Sequence, residues 1–253
     1  MAAILAAENL HKRFGAVVAA EAITLTVEAG ETVGVIGANG AGKTTFVNMV
    51  TGYLKPDAGA IRHDGRDITA LTPRQVTRLG IHRSFQIPQI FPELGALDNM
   101  LIALGIARTG RPGVWRALMD AGITAEAERA LARFGILDYR GQLAGRLPQG
   151  VRKLLDIAMA MVGDTSLMLL DEPTSGISAD EKTAVMDTIA AALEAAQVTM
   201  LFVEHDMEVV ERYAPRVVAF YDGRIIADGP TATVLADADV RTHVIGPELH
   251  RRR

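Results

Sequence analysis

The stretch Gly37-Ala38-Asn39-Gly40-Ala41-Gly42-Lys43-Thr44 has the residue types and spacing needed to hold a chain of phosphates. It fits G-x-x-x-x-G-K-[ST], with a strand-like run before it and a helical run after it. Glycines let backbone N–H groups curl around phosphate oxygens without a Cβ in the way. The helix that follows adds the positive end of its dipole. Lys43 supplies a point charge, and the Thr44 hydroxyl suits Mg²⁺. Asn39, Ala41 and Thr45 complete the candidate nucleotide contacts along this loop. The plain alternative, a Gly-rich turn, does not account for Lys43-Thr44 at the helix start. A dinucleotide-binding turn is excluded, because no G-x-G-x-x-G occurs here.

A second chemical feature is Leu167-Met168-Leu169-Leu170-Asp171-Glu172, four apolar residues ending in two carboxylates. A parallel strand delivers its C-terminal end to the same sheet edge as a phosphate loop. Asp171 is then expected to serve Mg²⁺. Strand side chains alternate, so Glu172 is expected on the opposite face, free to orient or polarise an attacking water. The simpler reading is a strand that stops where Pro173 breaks the ladder.

These residues need elements to position them. Ile23 to Val27, Thr32 to Gly37, Ser166 to Leu170 and Thr199 to Val203 read as strands, and Thr44 to Tyr53 as a helix. Ala125 to Phe134 and Val151 to Met161 carry apolar residues at helical spacing. A long helix runs from Ser178 to about Ala196, opened by a capping box of Ser178 with Glu181. Strands alternating with helices predict an α/β fold with a mixed or parallel sheet covered on both faces. Four regions are expected: a nucleotide-binding core over 1–85, a helical insertion over 86–162, the second part of the core over 163–235, and a tail over 236–253.

Composition narrows the function classes. The chain has 253 residues, 49% of them hydrophobic, and a net charge of -4. That is ample for a buried core and argues against disorder and against a nucleic-acid binder. Arg251, Arg252 and Arg253 read as a solvated tail. The chain contains no cysteine, so no thiol chemistry is available, as suits the cytoplasm. Met1 to Leu10 lacks a basic start and does not read as a signal peptide. The best apolar run, Ala184 to Val203, is interrupted by Asp187 and Glu194, so no spanning helix is expected.

Taken in order, these motifs resemble the ATP-binding cassette (ABC) ATPases, over the chain from about Ile4 to Leu235. The resemblance implies an ABC ATPase fold with an antiparallel β subdomain and an inserted helical subdomain, binding ATP with Mg²⁺. It implies that Phe14 stacks on adenine and that Gln86, in Ser84-Phe85-Gln86, contacts Mg²⁺ and the attacking water. Leu147-Pro148-Gln149-Gly150-Val151 stands where the family carries its L-S-G-G-Q signature loop. Gln149 and Gly150 would there face the nucleotide of a partner cassette. His205, in Val203-Glu204-His205-Asp206, follows a strand as the family's γ-phosphate histidine does. The implied catalytic set is Lys43, Gln86, Glu172 and His205. Finer detail, in Ile87 to Met100 and Glu204-His205-Asp206-Met207, is similar to the ATPases of branched-chain amino acid importers.

The pattern is broken in the signature loop. Pro148 replaces the usual serine and has neither a hydroxyl nor a backbone N–H, and Val151 replaces the usual glutamine. Losing one hydrogen bond to a charged group is worth about 1.5–3 kcal/mol. Ser178 also stands where the family often has Asp or Asn. A heterodimer with a second ATPase cassette is therefore expected over a homodimer. The resemblance further implies a membrane permease docked near Gln86 to Leu94 through Ile87, Ile90, Phe91 and Leu94, a solute-binding protein as an indirect partner, and a peripheral position at the inner face of the membrane. Two readings stay open: a hydrolysing motor, or a hydrolysis-poor cassette that braces or regulates a complex. A DNA-repair ATPase is disfavoured, because no sustained heptads occur.

Overall fold

In the computed structural model, residues 3–109 and 121–246 are described. Expectations for the segment outside them, including the arginines at 251–253, lie beyond that range. Two sheets form the frame. The first is antiparallel and joins β1 (Ala3–Phe14), β2 (Val17–Glu28), β4 (Ala58–His63) and β5 (Arg66–Asp67) in the order β2-β1-β4-β5. The second has six strands in the order β10-β9-β3-β8-β7-β6. Its members are β3 (Thr32–Gly37), β6 (Ile81–Ser84), β7 (Leu167–Asp171), β8 (Thr199–Val203), β9 (Arg216–Tyr221) and β10 (Arg224–Pro230). All its pairings are parallel except β10 with β9.

The parallel strands read as continuous apolar runs because both of their faces are covered. Leu167, Leu169, Leu201 and Val203 join the core shared with the antiparallel sheet and α1 (Lys43–Val50). Met168, Leu170, Met200 and Phe202 point the other way, into the core under the helices. Those helices are α3 (Ala96–Thr109), α4 (Ala121–Arg133), α5 (Gln149–Ala160) and α6 (Ala179–Ala195). Shorter helices include α2 (Pro73–Thr77), α7 (Met207–Tyr213), α8 (Thr231–Ala236) and α9 (Ala238–Val240). Among the described residues, no helix is long and apolar enough to cross a membrane.

Phe202 is fully buried in this sheet. Phe202→Ala is expected to cost about 3–5 kcal/mol of stability. The check is urea unfolding, where the midpoint should fall with little change in slope.

Three local expectations are corrected. The helix expected over 44–53 ends at Val50, because Gly52 takes φ 76°, and a Cβ there would lie 2.7 Å from the Leu71 carbonyl oxygen. Ser178 does occupy the N-cap of α6. Its hydroxyl, however, donates to Glu181 Oε2 at 2.9 Å instead of accepting a backbone N–H, so the capping box is incomplete. Residues 238–245, expected in a tail, are helical: Val240 is fully buried, and the His243 ring lies 4.4 Å from that of Tyr221.

Candidate nucleotide site

The loop of residues 37–44 leaves the buried end of β3 and enters α1. Two of its glycines are required by packing. A Cβ on Gly37 would fall 2.6 Å from the Phe220 carbonyl oxygen, and one on Gly42 2.6 Å from that of Ala19. Gly42 also holds φ 103°, closed to most side chains, and from there the chain turns directly into α1. The crest of Ala38, Asn39 and Gly40 is exposed. Ala41 is buried, and its N–H closes the loop's own turn onto the Ala38 carbonyl at 3.1 Å. Lys43 is buried, and its ammonium donates to the Gly37 and Ala38 carbonyls at 2.7 and 3.0 Å. Burial pushes that ammonium below the ordinary lysine range, while the carboxylates of Glu172 and Asp171 oppose the shift. An open crest, a helix start and one held cation form a donor set that fits phosphate oxygens.

The acidic strand end faces this loop. Asp171 closes β7, and its Oδ2 accepts from the Arg83 guanidinium at 2.6 Å. Thr44 is exposed in the first turn of α1. A hydroxyl, a carboxylate and the nearby Gln86 amide are hard oxygen donors of the kind Mg²⁺ takes.

Glu172 departs from the expected strand alternation. The strand has ended, and Glu172 sits at φ 46°, in the left-handed region, with its N–H still bonded to the Val203 carbonyl at 3.0 Å. Such a conformation costs about 1–3 kcal/mol and concentrates at functional sites. It brings the carboxylate to two other predicted residues. Gln86 Nε2 donates to Glu172 Oε2 at 2.6 Å, and His205 Nε2 lies 3.1 Å from Glu172 Oε1. Gln86, Glu172 and His205, far apart in the chain, thus meet in one cluster.

Phe14 lies at the tip of the β1–β2 hairpin, 51% exposed and paired with the exposed Val17. The Lys12 ammonium lies 5.7 Å from its ring centroid. The same hairpin supplies Ala19, whose carbonyl oxygen abuts Gly42 of the phosphate loop. Thr45, half-buried, follows in α1.

Gln149 and Gly150 stand apart from this group. They open α5 behind Pro148, which takes the N-cap position rather than the first helical turn. Gln149 packs beside Gly176, and a Cβ on Gly150 would meet Val185 of α6 at 2.9 Å. Arg152 donates to Gln149 Oε1 at 2.5 Å. Of the segment following Gln86, Ile87 is 74% exposed and Phe91 is also exposed, whereas Ile90 and Leu94 are half-buried.

Sequence reasoning missed several buried polar anchors. Glu204 Oε1 accepts the N–H and the hydroxyl of Thr174, at 2.9 and 2.7 Å, and Oε2 accepts the His205 N–H at 3.1 Å. It ties the chain after Glu172 to the turn that carries His205. Lys153 donates to the Phe85 carbonyl at 2.7 Å. Asp156 accepts from the Ser84 hydroxyl at 2.6 Å and the Gln89 N–H at 2.7 Å. Burial pushes the Lys153 ammonium down and the Asp156 carboxyl up. These two residues of α5 clamp both flanks of Gln86. The one signal in the sequence was an ionisable residue inside an otherwise apolar helical or strand-end pattern.

A phosphate loop at the end of a parallel strand, beside a carboxylate pair carried by another strand of the same sheet, defines a nucleoside-triphosphate hydrolase of the P-loop class. Known proteins narrow the class further. The sequence profile of the family described as "ABC transporter" matches residues 20–175. The probable branched-chain amino acid transport ATP-binding protein LivG of Archaeoglobus fulgidus is 32% identical, over 97% of this chain and 96% of its own. The high-affinity branched-chain amino acid transport ATP-binding protein BraF of Pseudomonas aeruginosa is 32% identical, over 96% of this chain and 98% of its own. Among solved structures, an ATP-binding cassette of an ABC transporter in its ADP conformation superposes with a TM-score of 0.80, at 28% identity over 95% of this chain and 97% of that one. The chain belongs to the ABC transporter family. It is an ATP-binding and ATP-hydrolysing subunit of an ABC transporter, part of a complex with membrane components.

Proposed function

We propose that this chain energises uptake of branched-chain amino acids or related small polar or organic solutes. It would work at the inner face of the membrane as one of two paired cassettes beneath a permease. The solute class rests on the full-length similarity to LivG and BraF. The observation that carries the motor reading is the Gln86–Glu172–His205 cluster, set beside a buried Lys43.

In this reading Phe14 stacks on adenine, and the loop 37–45 grips the phosphates. Thr44, Asp171 and Gln86 would hold Mg²⁺, which when bound offsets phosphate charge. Lys43 neutralises charge on the terminal phosphate. The Glu172 carboxylate orients the attacking water and accepts its proton, while His205 holds Glu172 and the departing phosphate in line. The exposed side chains of Ile87 and Phe91 offer an apolar seat for a permease helix. The clamp from Lys153 and Asp156 would make Gln86 move with α5.

Gln149 and Gly150 stand apart from the Gln86–Glu172–His205 cluster, and we assign them, on the family resemblance, a role toward a second cassette's nucleotide. With Pro148 and Val151 in that loop, the site it caps is the weaker one. We therefore favour pairing with a different cassette whose signature loop is complete. In the assembled transporter, Glu172→Gln in this chain is expected to remove most of the ATPase activity. The matching change in the partner should remove much less. Equal losses, or full activity from this chain paired with itself, would overturn the asymmetric pairing. Uptake of labelled leucine into proteoliposomes carrying the whole transporter checks the solute class.

A further inference from the structure

We infer that Arg83 is a positioning residue of the nucleotide site, a buried guanidinium that holds the Asp171 carboxylate in register with the phosphate-loop helix. This deepens the reading of Asp171 as the Mg²⁺ carboxylate and rests on it.

Arg83 lies on β6, directly opposite Leu169 of β7. One arm of its guanidinium donates to Asp171 Oδ2 at 2.6 Å, and the other donates to Asn48 Oδ1, also at 2.6 Å. Asn48 stands four residues after Thr44 on α1, one helical turn along the same face. A single side chain therefore joins the acidic strand end to the helix that presents Lys43 and Thr44. The guanidinium also lies over the Phe85 ring, 4.6 Å from its centroid, immediately before Gln86. The Arg83 and Asp171 side chains are only 7% and 14% exposed.

The residue type matters. A planar fork can serve two acceptors along fixed directions and stack on an aromatic face, whereas a lysine can do neither in the same way. Buried ion pairs are poor devices for stability, because the desolvation cost roughly cancels the attraction. The Arg83 Nε is even left buried without a hydrogen-bond partner. What the arrangement does supply is geometry. With Oδ2 held, the orientation of the Asp171 carboxylate is set before a cation and nucleotide arrive. Hydrogen bonds that orient a metal-binding carboxylate are worth about tenfold to a hundredfold in metal affinity. A competing effect has the opposite sign, since a nearby fixed cation repels a divalent ion. The direction of the mutant effect decides between the two.

The test uses the full chain and a fluorescent ATP analogue, titrated with Mg²⁺ and separately bound in EDTA. Arg83→Met is expected to raise the half-saturating Mg²⁺ concentration about tenfold or more, with affinity in EDTA little changed on the folded fraction. Arg83→Lys keeps the charge but loses one arm and should fall between Met and the parent. Asn48→Leu leaves the ion pair whole and frees only the helix arm, so it should shift the Mg²⁺ half-point several-fold in the same direction. A merely structural role would lower the thermal midpoint without moving that half-point. Should Arg83→Met not fold, the Lys and Asn48 variants decide. Their half-points matching the parent, or a tighter Mg²⁺ response in Arg83→Met, would overturn the inference. Asp171→Asn separates the two levels. If it leaves Mg²⁺ dependence intact, the assignment of Asp171 fails and the inference with it. If Asp171→Asn shifts the half-point and the Arg83 variants do not, the inference alone fails.

Discussion

Glu172→Gln is expected to lower steady-state ATP hydrolysis about 10²- to 10⁴-fold, the usual contribution of a positioned general base, while leaving nucleotide binding close to the parent's. The variant keeps the size of the side chain and both of its contact distances to Gln86 and His205 within reach. It removes the group that can accept a proton from water. It also removes one of the two carboxylates that oppose the desolvation of Lys43, although Asp171 remains. The measurement is phosphate release in the assembled transporter, alongside equilibrium binding of ATP. Binding that survives with hydrolysis lost assigns Glu172 to the chemical step. Hydrolysis retained within about threefold, against the 10²-fold minimum expected of a general base, would remove Glu172 from that role. It would return weight to a cassette that only binds.

Lys43→Ala is expected to weaken ATP binding about tenfold to a hundredfold, the loss of one or more hydrogen bonds to a charged group at about 1.5–3 kcal/mol, and to abolish hydrolysis. Lys43 is the one cation that the loop itself holds at its mouth, bonded to the Gly37 and Ala38 carbonyls. Its ammonium already bears a desolvation cost, so deleting it relieves a burial penalty in the nucleotide-free chain. The folded state should therefore survive the change, and the thermal midpoint without nucleotide should move little. The stabilisation that ATP confers on the parent should disappear, because a ligand stabilises only in proportion to its affinity. A midpoint that still climbs with ATP as steeply as in the parent would count against the phosphate role of Lys43.

The two variants separate binding from chemistry because they act at different strands. Lys43 follows β3, and Glu172 follows β7, two places away in the sheet with β8 between them. No local pattern in the chain states that order.

Much was nevertheless legible in the residues alone. The phosphate loop could be read from eight consecutive positions, because a backbone nest needs glycines at particular steps, and a helix start needs no side chain from elsewhere. The strands over 166–170 and 199–203 were legible because a strand buried on both faces is apolar at every position. The helix over 151–161 followed from 3.6-residue spacing, and the one over 178–196 from the start signal of Ser178 and Glu181. Each of these signals lies within one element.

The tertiary structure decided what depends on pairing between elements. Gln86, Glu172 and His205 converge only because β6, β7 and β8 lie side by side in parallel register, so their C-terminal ends open on one edge. The left-handed turn at Glu172 replaces the strand alternation that the sequence suggested, since the ladder ends at Asp171 and the chain must bend toward Gln86. Arg83 carried no reading in the sequence alone. It became a buried bridge because α1 and β7 supply Asn48 and Asp171 on either side of it. Glu204, Lys153 and Asp156 are polar residues that each have a partner 30 or more positions away. Local propensity reports the shape of a segment, whereas the partner of a buried charge is set by sheet order and helix packing.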